Sequence, residues 1–228
     1  MGIIVNALSI FLGVLLGGLY KNRLKFKISL YLAIAVIIIS LLGFLENAII
    51  VSDNRLLSAN TLIIIFSLVI GSYVGDSLKL EEKINECIKR PDGKSNGFLD
   101  AFFLFGIGGL QISGPILMVL NGDNSQLFLK ALIDFPLGLL IGANYGKVAS
   151  LSFIPVAILQ CIIAVIAHFL GGYISQEILM SLCSMGFVIL FFTGYNMLST
   201  SENKIKNINM VPSVFLVIIF HVIKGFVV

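Results

Sequence analysis

The sequence predicts an all-α, polytopic transmembrane helical bundle of about eight spans, with the fourth helix interrupted at membrane depth. Three observations carry this prediction. Hydrophobic residues make up 58% of the 228 positions and charged residues only 12%, with a mean hydropathy of +1.05, whereas soluble domains are roughly one-quarter charged. The apolar residues fall in long runs ended by charges or turn residues, and a bilayer core takes about 20 such residues per helix. Runs such as 34–42 and 158–167 lack the alternation of a barrel strand, which leaves helices as the spanning element able to satisfy its own backbone.

In chain order the runs place spans near 2–20, 28–45, 59–78 and 97–120, then 127–146, 150–171, 177–198 and 208–226. They fill residues 1–228 as a single integral membrane domain and leave no room for a soluble domain of ordinary size. The first run carries its positive charges after it rather than before it, the reverse of a secretory signal peptide, so it is expected to remain as the first span. Of the 15 basic residues, all but Arg55, Lys130 and Lys224 fall in the odd-numbered connections. The positive-inside rule makes those connections cytoplasmic and both termini external. Tyr20, Tyr31, Tyr73, Tyr145 and Tyr195 gather near the same boundary, as interfacial anchors do in a chain without tryptophan. Charge spread over connections reads as topology, with lipid as the partner and no nucleic-acid surface.

Within the third connection, 78–95, Leu80, Ile84 and Ile88 form one helical stripe among charges. This suits a short amphipathic helix on the cytoplasmic membrane surface, or a solvated connector. Gly13 and Gly17, Gly71 and Gly75, and Gly142 and Gly146 each stand four apart at the inner ends of odd spans. Their recurrence suggests a duplicated hairpin, with repeat halves 1–120 and 127–228. The plain alternative is ordinary close helix packing, within one chain or in a homodimer.

Polar chemistry concentrates in the second half of the chain. The stretch from Gly106 to Pro115, GIGGLQISGP, weakens a helix through its glycines, and Pro115 removes a donor and opposes the carbonyl of Gln111. A break between Gly106 and Pro115 is expected to line a polar cavity, because freed backbone groups at membrane depth need partners. Asp134 lies about a third of the way into the fifth span, where a carboxylate is costly unless paired, protonated or hydrated. Lys130, four residues earlier, can pair with it or snorkel outward. Gln160 sits near the middle of the sixth span. At about 1.5 Å per residue, Asp134, Gln111 and Ser113 share one depth and Gln160 is slightly deeper. The candidate solute- or ion-binding set is therefore Asp134 as the charged group, Gln111, Ser113 and Gln160 as neutral partners, and Gly109 and Gly114 beside them.

Asn6, Asn60, Asp100, His168 and His221 are placed near span ends, where water can solvate them, and Asp76 marks an inner helix end. Cys161 and Cys183 lie in spans and Cys87 in a charged connection, without metal or redox spacing, so reduced thiols are expected. No Ser/His/Asp set, metal-ligand spacing, phosphate loop or cofactor motif is visible. An enzyme is the least expected class, with no catalytic residue, metal or cofactor foreseen.

Several segments are distinctive in combination: Val5-Asn-Ala followed by LGVLLGGL, the GSYVGDSLKLEEKI run, the Gly/Gln/Ser segment of the fourth span, KALIDF at 130–135 and LQ at 159–160. Spread over nearly the whole chain, they resemble the DUF554 family of prokaryotic multispanning membrane proteins. Where members commonly have GxGxxxIxGSI, this chain reads GIGGLQISGPI, with Pro115 in place of a small hydroxyl residue. The resemblance implies a multi-pass protein of the prokaryotic cell (inner) membrane, of a kind described as candidate transporters without an established substrate. Span number, compactness and the interrupted helix lead to the same expectation, a secondary transporter or permease for a small solute or ion. A channel, or a scaffold or regulatory subunit docking through 78–95, is the alternative.

Overall fold

The computed structural model describes residues 1–19, 26–52, 55–58, 60–88, 97–106, 109–199 and 204–227. Tyr20, Lys21, Arg23, Lys25, Lys89, Arg90, Lys94 and residues 107–108 of the predicted interruption lie outside these, as do the side chains of Lys27, Arg55, Cys87 and Asp100. The protein is a helical membrane protein, and among the described residues six stretches are long and apolar enough to cross a bilayer: Gly2–Leu19, Leu30–Ala48, Ser125–Tyr145, Lys147–Tyr173, Gln176–Leu198 and Asn207–Gly225. Two shorter apolar helices, Thr61–Ser77 and Leu110–Asn121, stand where the sequence places its third span and the second half of its fourth.

The helices are α1 Gly2–Leu19, α2 Phe26–Ala48, α3 Thr61–Ser77, α4 Leu80–Ile88, α5 Gly97–Gly106, α6 Gly109–Asn121, α7 Ser125–Tyr145, α8 Phe153–Leu170, α9 Gln176–Leu198 and α10 Val211–Val227. Between α2 and α3 a small hairpin pairs β1 Ile49–Ser52 with β2 Arg55–Ser58, antiparallel, with Ile49 opposite Ser58. Its sequence, lying between two apolar runs, predicts only a connection there. Short 3₁₀ turns at Lys147–Ser152, Gly171–Tyr173 and Asn207–Met210 lead into or out of α8 and α10.

Three helix pairs organise the bundle, and small residues set their closeness. Along α1 and α7, Gly13 stands over the Phe135 backbone and Gly17 over that of Leu139, while Gly138 and Gly142 face Gly13 and Val14 in return. The numbers rise together, so these two helices run parallel. A Cβ on Gly17 would strike the Leu139 carbonyl oxygen, and one on Gly142 the Val14 carbonyl oxygen. Close backbone approach of this kind maximises van der Waals contact where lipid offers no hydrophobic drive for helix association. The packing pair on α7 is thus Gly138 and Gly142, not the predicted Gly142 and Gly146. The helix ends at Tyr145, and Gly146, with φ of 83°, turns the chain away. The α2 and α9 helices pack antiparallel, with Gly43 against Phe187 and Gly194 against Ala33 and Ile37. Likewise α3 runs antiparallel to α10, with Gly71 on Ser213 and Gly75 on Asn209.

The most enclosed helix is α9, whose buried residues run without interruption from Ser181 to Phe187 and therefore occupy every face. It begins with Ser175 as N-cap, whose side chain accepts from the Ile178 N–H at 3.3 Å. By contrast α8 turns Ile154, Ile158, Ile162 and Ile166 outward, an apolar stripe at helical spacing that suits contact with acyl chains. The amphipathic segment folds as α4, with Leu80 and Ile84 half-buried. It is fastened to the turn before α10: the Glu81 N–H donates to Asn209 Oδ1 at 2.9 Å, and Lys206 Nζ reaches Glu82 Oε1 at 2.5 Å.

Candidate functional site

At the level where α5 gives way to α6, four helices contribute polar side chains to one buried network. Asp134 and Lys130 from α7 are 4% and 5% exposed, while Asn6 from α1, Gln111 from α6 and Gln160 from α8 are fully enclosed. Lys130 Nζ donates to Asp134 Oδ2 at 2.7 Å and to the Phe105 carbonyl at 2.9 Å. Asn6 Nδ2 donates to the same carboxylate oxygen at 2.7 Å. Gln160 Nε2 then bridges Asn6 Oδ1 at 2.9 Å and Gln111 Oε1 at 3.0 Å, and Gln111 Nε2 donates to the Val156 carbonyl at 3.0 Å.

Local sequence explains why these groups meet. Asn6, Gly13 and Gly17 lie on one face of α1, so the glycine contacts that bring α1 onto α7 also deliver the amide to Asp134. Lys130 and Asp134 are four apart on α7 and face the same way. Phe105 stands in the last described turn of α5, and its backbone carbonyl is turned toward Lys130. The Lys130 ammonium lies between that carbonyl and the carboxylate. A buried ion pair persists only where further hydrogen bonds compensate lost hydration, and Asn6 and Phe105 supply them. One atom stays uncompensated: Gln160 Oε1 is buried with no hydrogen-bond partner among the described residues. Beside the pair is a cavity of about 30 Å³ whose lining includes Phe105, Gln111, Lys130, Asp134 and Thr193. That is room for a water-sized occupant.

Of the predicted set, Asp134, Gln111 and Gln160 come together as one connected group. Ser113 does not join it, because its hydroxyl donates to Gln126 Oε1 at 2.6 Å in a separate buried pair between α6 and α7. Gly114 packs against the Leu127 side chain, and Gly109 opens α6. The predicted break falls in part on residues 107–108, outside the described residues; from Gly109 to Asn121 the chain is helical and carries Pro115 inside α6. Asn6 and His221 depart from the solvated positions expected for them. Asn6 is central to the network, and His221 Nε2 lies 2.9 Å from Ser181 Oγ inside the bundle. Lys130 pairs inward rather than snorkelling. The signal for Asn6 was present, since it stands seven residues before Gly13 on the small-residue face of α1.

The family model described as "Protein of unknown function (DUF554)" matches residues 1–222. Over 227 residues the chain is 26% identical to the uncharacterized membrane protein YdfK of Bacillus subtilis (strain 168), covering 96% of this chain and 95% of that one. It is 24% identical over 230 residues to the uncharacterized protein YqgA of Escherichia coli (strain K12), with 95% and 94% covered. No solved structure matches. A family model that spans the chain from its first residue to position 222, across α1, α6, Lys130, Asp134 and Gln160, establishes that this protein belongs to the DUF554 family.

Proposed function

We propose that the protein is a permease or secondary transporter of the cell membrane, with both termini external, that passes a small solute or ion through the Asp134 site and performs no covalent chemistry. The observation that carries this reading is the buried network of Asp134, Lys130, Asn6, Gln111 and Gln160 inside the bundle. Ionisable groups within spans are expensive, and pathways for ions and solutes are where membrane proteins retain them. Packing alone would be served as well by apolar side chains of similar volume.

Asp134 acts as the charged group of the pathway, with Gln111, Gln160 and Asn6 as neutral partners. The water-sized cavity corresponds to a closed arrangement, which relative movement of the helices that line it would open. The test is flux into proteoliposomes, screened with amino acids, organic acids and inorganic ions. Asp134→Asn should abolish coupled uptake, since the amide keeps the shape but removes the charge, and Asp134→Glu should retain part of it. Wild-type flux by monodisperse Asp134→Asn protein would reject the assignment.

A further inference from the structure

Lys130 suggests what the site binds besides the solute. We infer that the Lys130 ammonium is a tethered occupant of an alkali-cation site made by the Asp134 carboxylate and the Phe105 carbonyl at the end of α5, and that a free monovalent metal ion takes its place during the working cycle. The inference rests on the permease reading and specifies its coupling ion.

The ammonium contacts two oxygens of the kind that hard cations select, a carboxylate at 2.7 Å and a backbone carbonyl at 2.9 Å. Gln160 Oε1, buried with no hydrogen-bond partner among the described residues, stands further along the same network, beyond Asn6. A cavity of about 30 Å³ borders Lys130, Asp134 and Phe105, large enough for a dehydrated ion and too small for a carboxylate or amine solute of several heavy atoms.

Charge balance selects a monovalent ion. Lys130 is the charged side chain that meets Asp134; the other neighbours are neutral, namely Asn6 from α1, Phe105 from α5, Gln111 from α6 and Thr193 from α9. One carboxylate neutralises one positive charge, and a divalent ion would leave an excess charge in a dry site. The ammonium also has somewhere to go. Lys130 lies five residues into α7, roughly 8 Å along the axis from Ser125, and a flexible lysine stem that near a helix end can snorkel to the interface.

The experiment is thermal unfolding of the purified full-length protein in detergent at constant ionic strength, titrating NaCl or KCl against choline chloride. If the ammonium holds the site in nine molecules of ten or more, its removal sharpens apparent affinity at least tenfold. Lys130→Met should therefore reach half-maximal stabilisation by Na⁺ or K⁺ at a concentration at least tenfold below that of wild type. Lys130→Met/Asp134→Asn should show no alkali-specific stabilisation. Recovery of Lys130→Met as monodisperse protein only when an alkali cation is present also supports the site. A cation response of Lys130→Met equal to that of the double variant overturns it. So does stabilisation of Lys130→Met by acid alone, or failure to recover that variant in any cation while the double variant is recovered. Because no gradient or flux is involved, a negative result leaves the permease reading standing, and absence of flux leaves the cation measurement standing.

Discussion

Asn6 and Asp134, 128 positions apart in the chain, share a hydrogen bond of 2.7 Å between the amide nitrogen of one and the carboxylate Oδ2 of the other. The contact depends on the glycine interface of α1 and α7, and on Gln160, which holds the opposite end of the Asn6 amide. Packing and polar chemistry are therefore coupled, and each can be perturbed through the other.

The amide chain should be energetically coupled. Asn6→Ala removes a donor to Asp134 and an acceptor for Gln160, and Gln160→Ala strips partners from Asn6 and Gln111. Each change should cost about 1–3 kcal/mol, the range for leaving buried polar groups unsatisfied. The double variant should show a coupling of about 0.5–3 kcal/mol. Unfolding by SDS titration in mixed micelles measures the cycle, and strict additivity would contradict a direct Asn6–Gln160 bond.

The α1–α7 seam should reject side chains. Gly17→Val places atoms against the Leu139 carbonyl, where only backbone can give way. Overpacking of this kind costs about 1–3 kcal/mol, and it should lower the yield of monodisperse protein and displace Asn6 from Asp134. Gly172→Ala is the matched control, since nothing lies within 4 Å of a Cβ there. Equal yields of the two variants would show that the seam is not closely packed in solution.

The attachment of α4 should respond to acid and to alkali. Its carboxyl Glu82 is held below the ordinary carboxylate range chiefly by the hydrogen bond from Lys206. That contribution is present above the unfolded-chain value of about 4.3 and is lost as pH falls through the depressed folded value. Lys206 is raised by the same bond, so its contribution is present below about 10.4 and is lost as pH rises through the raised folded value. Glu81, raised mainly by burial, has the opposite sign to Glu82 and weakens the attachment as pH rises through its folded value. Melting temperatures across pH 3–7 (about the range of carboxylate titration) should fall more steeply toward acid in wild type than in Lys206→Met. Parallel curves would remove the Lys206 bond from the account.

Orientation follows from the basic connections. With Cys87 as the remaining thiol, a membrane-impermeant maleimide should fail to label intact cells and should label them after permeabilisation, because the 78–95 connection belongs to the positively charged side. Labelling of intact cells would invert the topology.

Composition and run length by themselves determined the solvent, the helical class and the approximate span boundaries, because a bilayer demands apolar helices of fixed length whatever their neighbours. Gln111 in GIGGLQISGP and the single carboxylate in KALIDF marked a polar group and a charged group of the network for the same reason. Each violates a local rule of membrane helices and must be compensated. Tertiary structure decided which polar groups provide the compensation. Ser113 and Gln111 are two residues apart on α6 and so project in different directions, one to Gln126 and the other to Val156 and Gln160. Asn6, placed by its sequence position in reach of water, is carried into the network by the parallel pairing of α1 with α7; the small-residue face marks which side of α1 packs but not against which helix. Lys130 had two physically acceptable fates on one helix face, and the carbonyl of Phe105, brought alongside by α5, favours the buried one. Depth along a helix is written in the sequence, since it needs only counting at 1.5 Å per residue. Azimuth toward a partner is not, because it depends on which helices pack together.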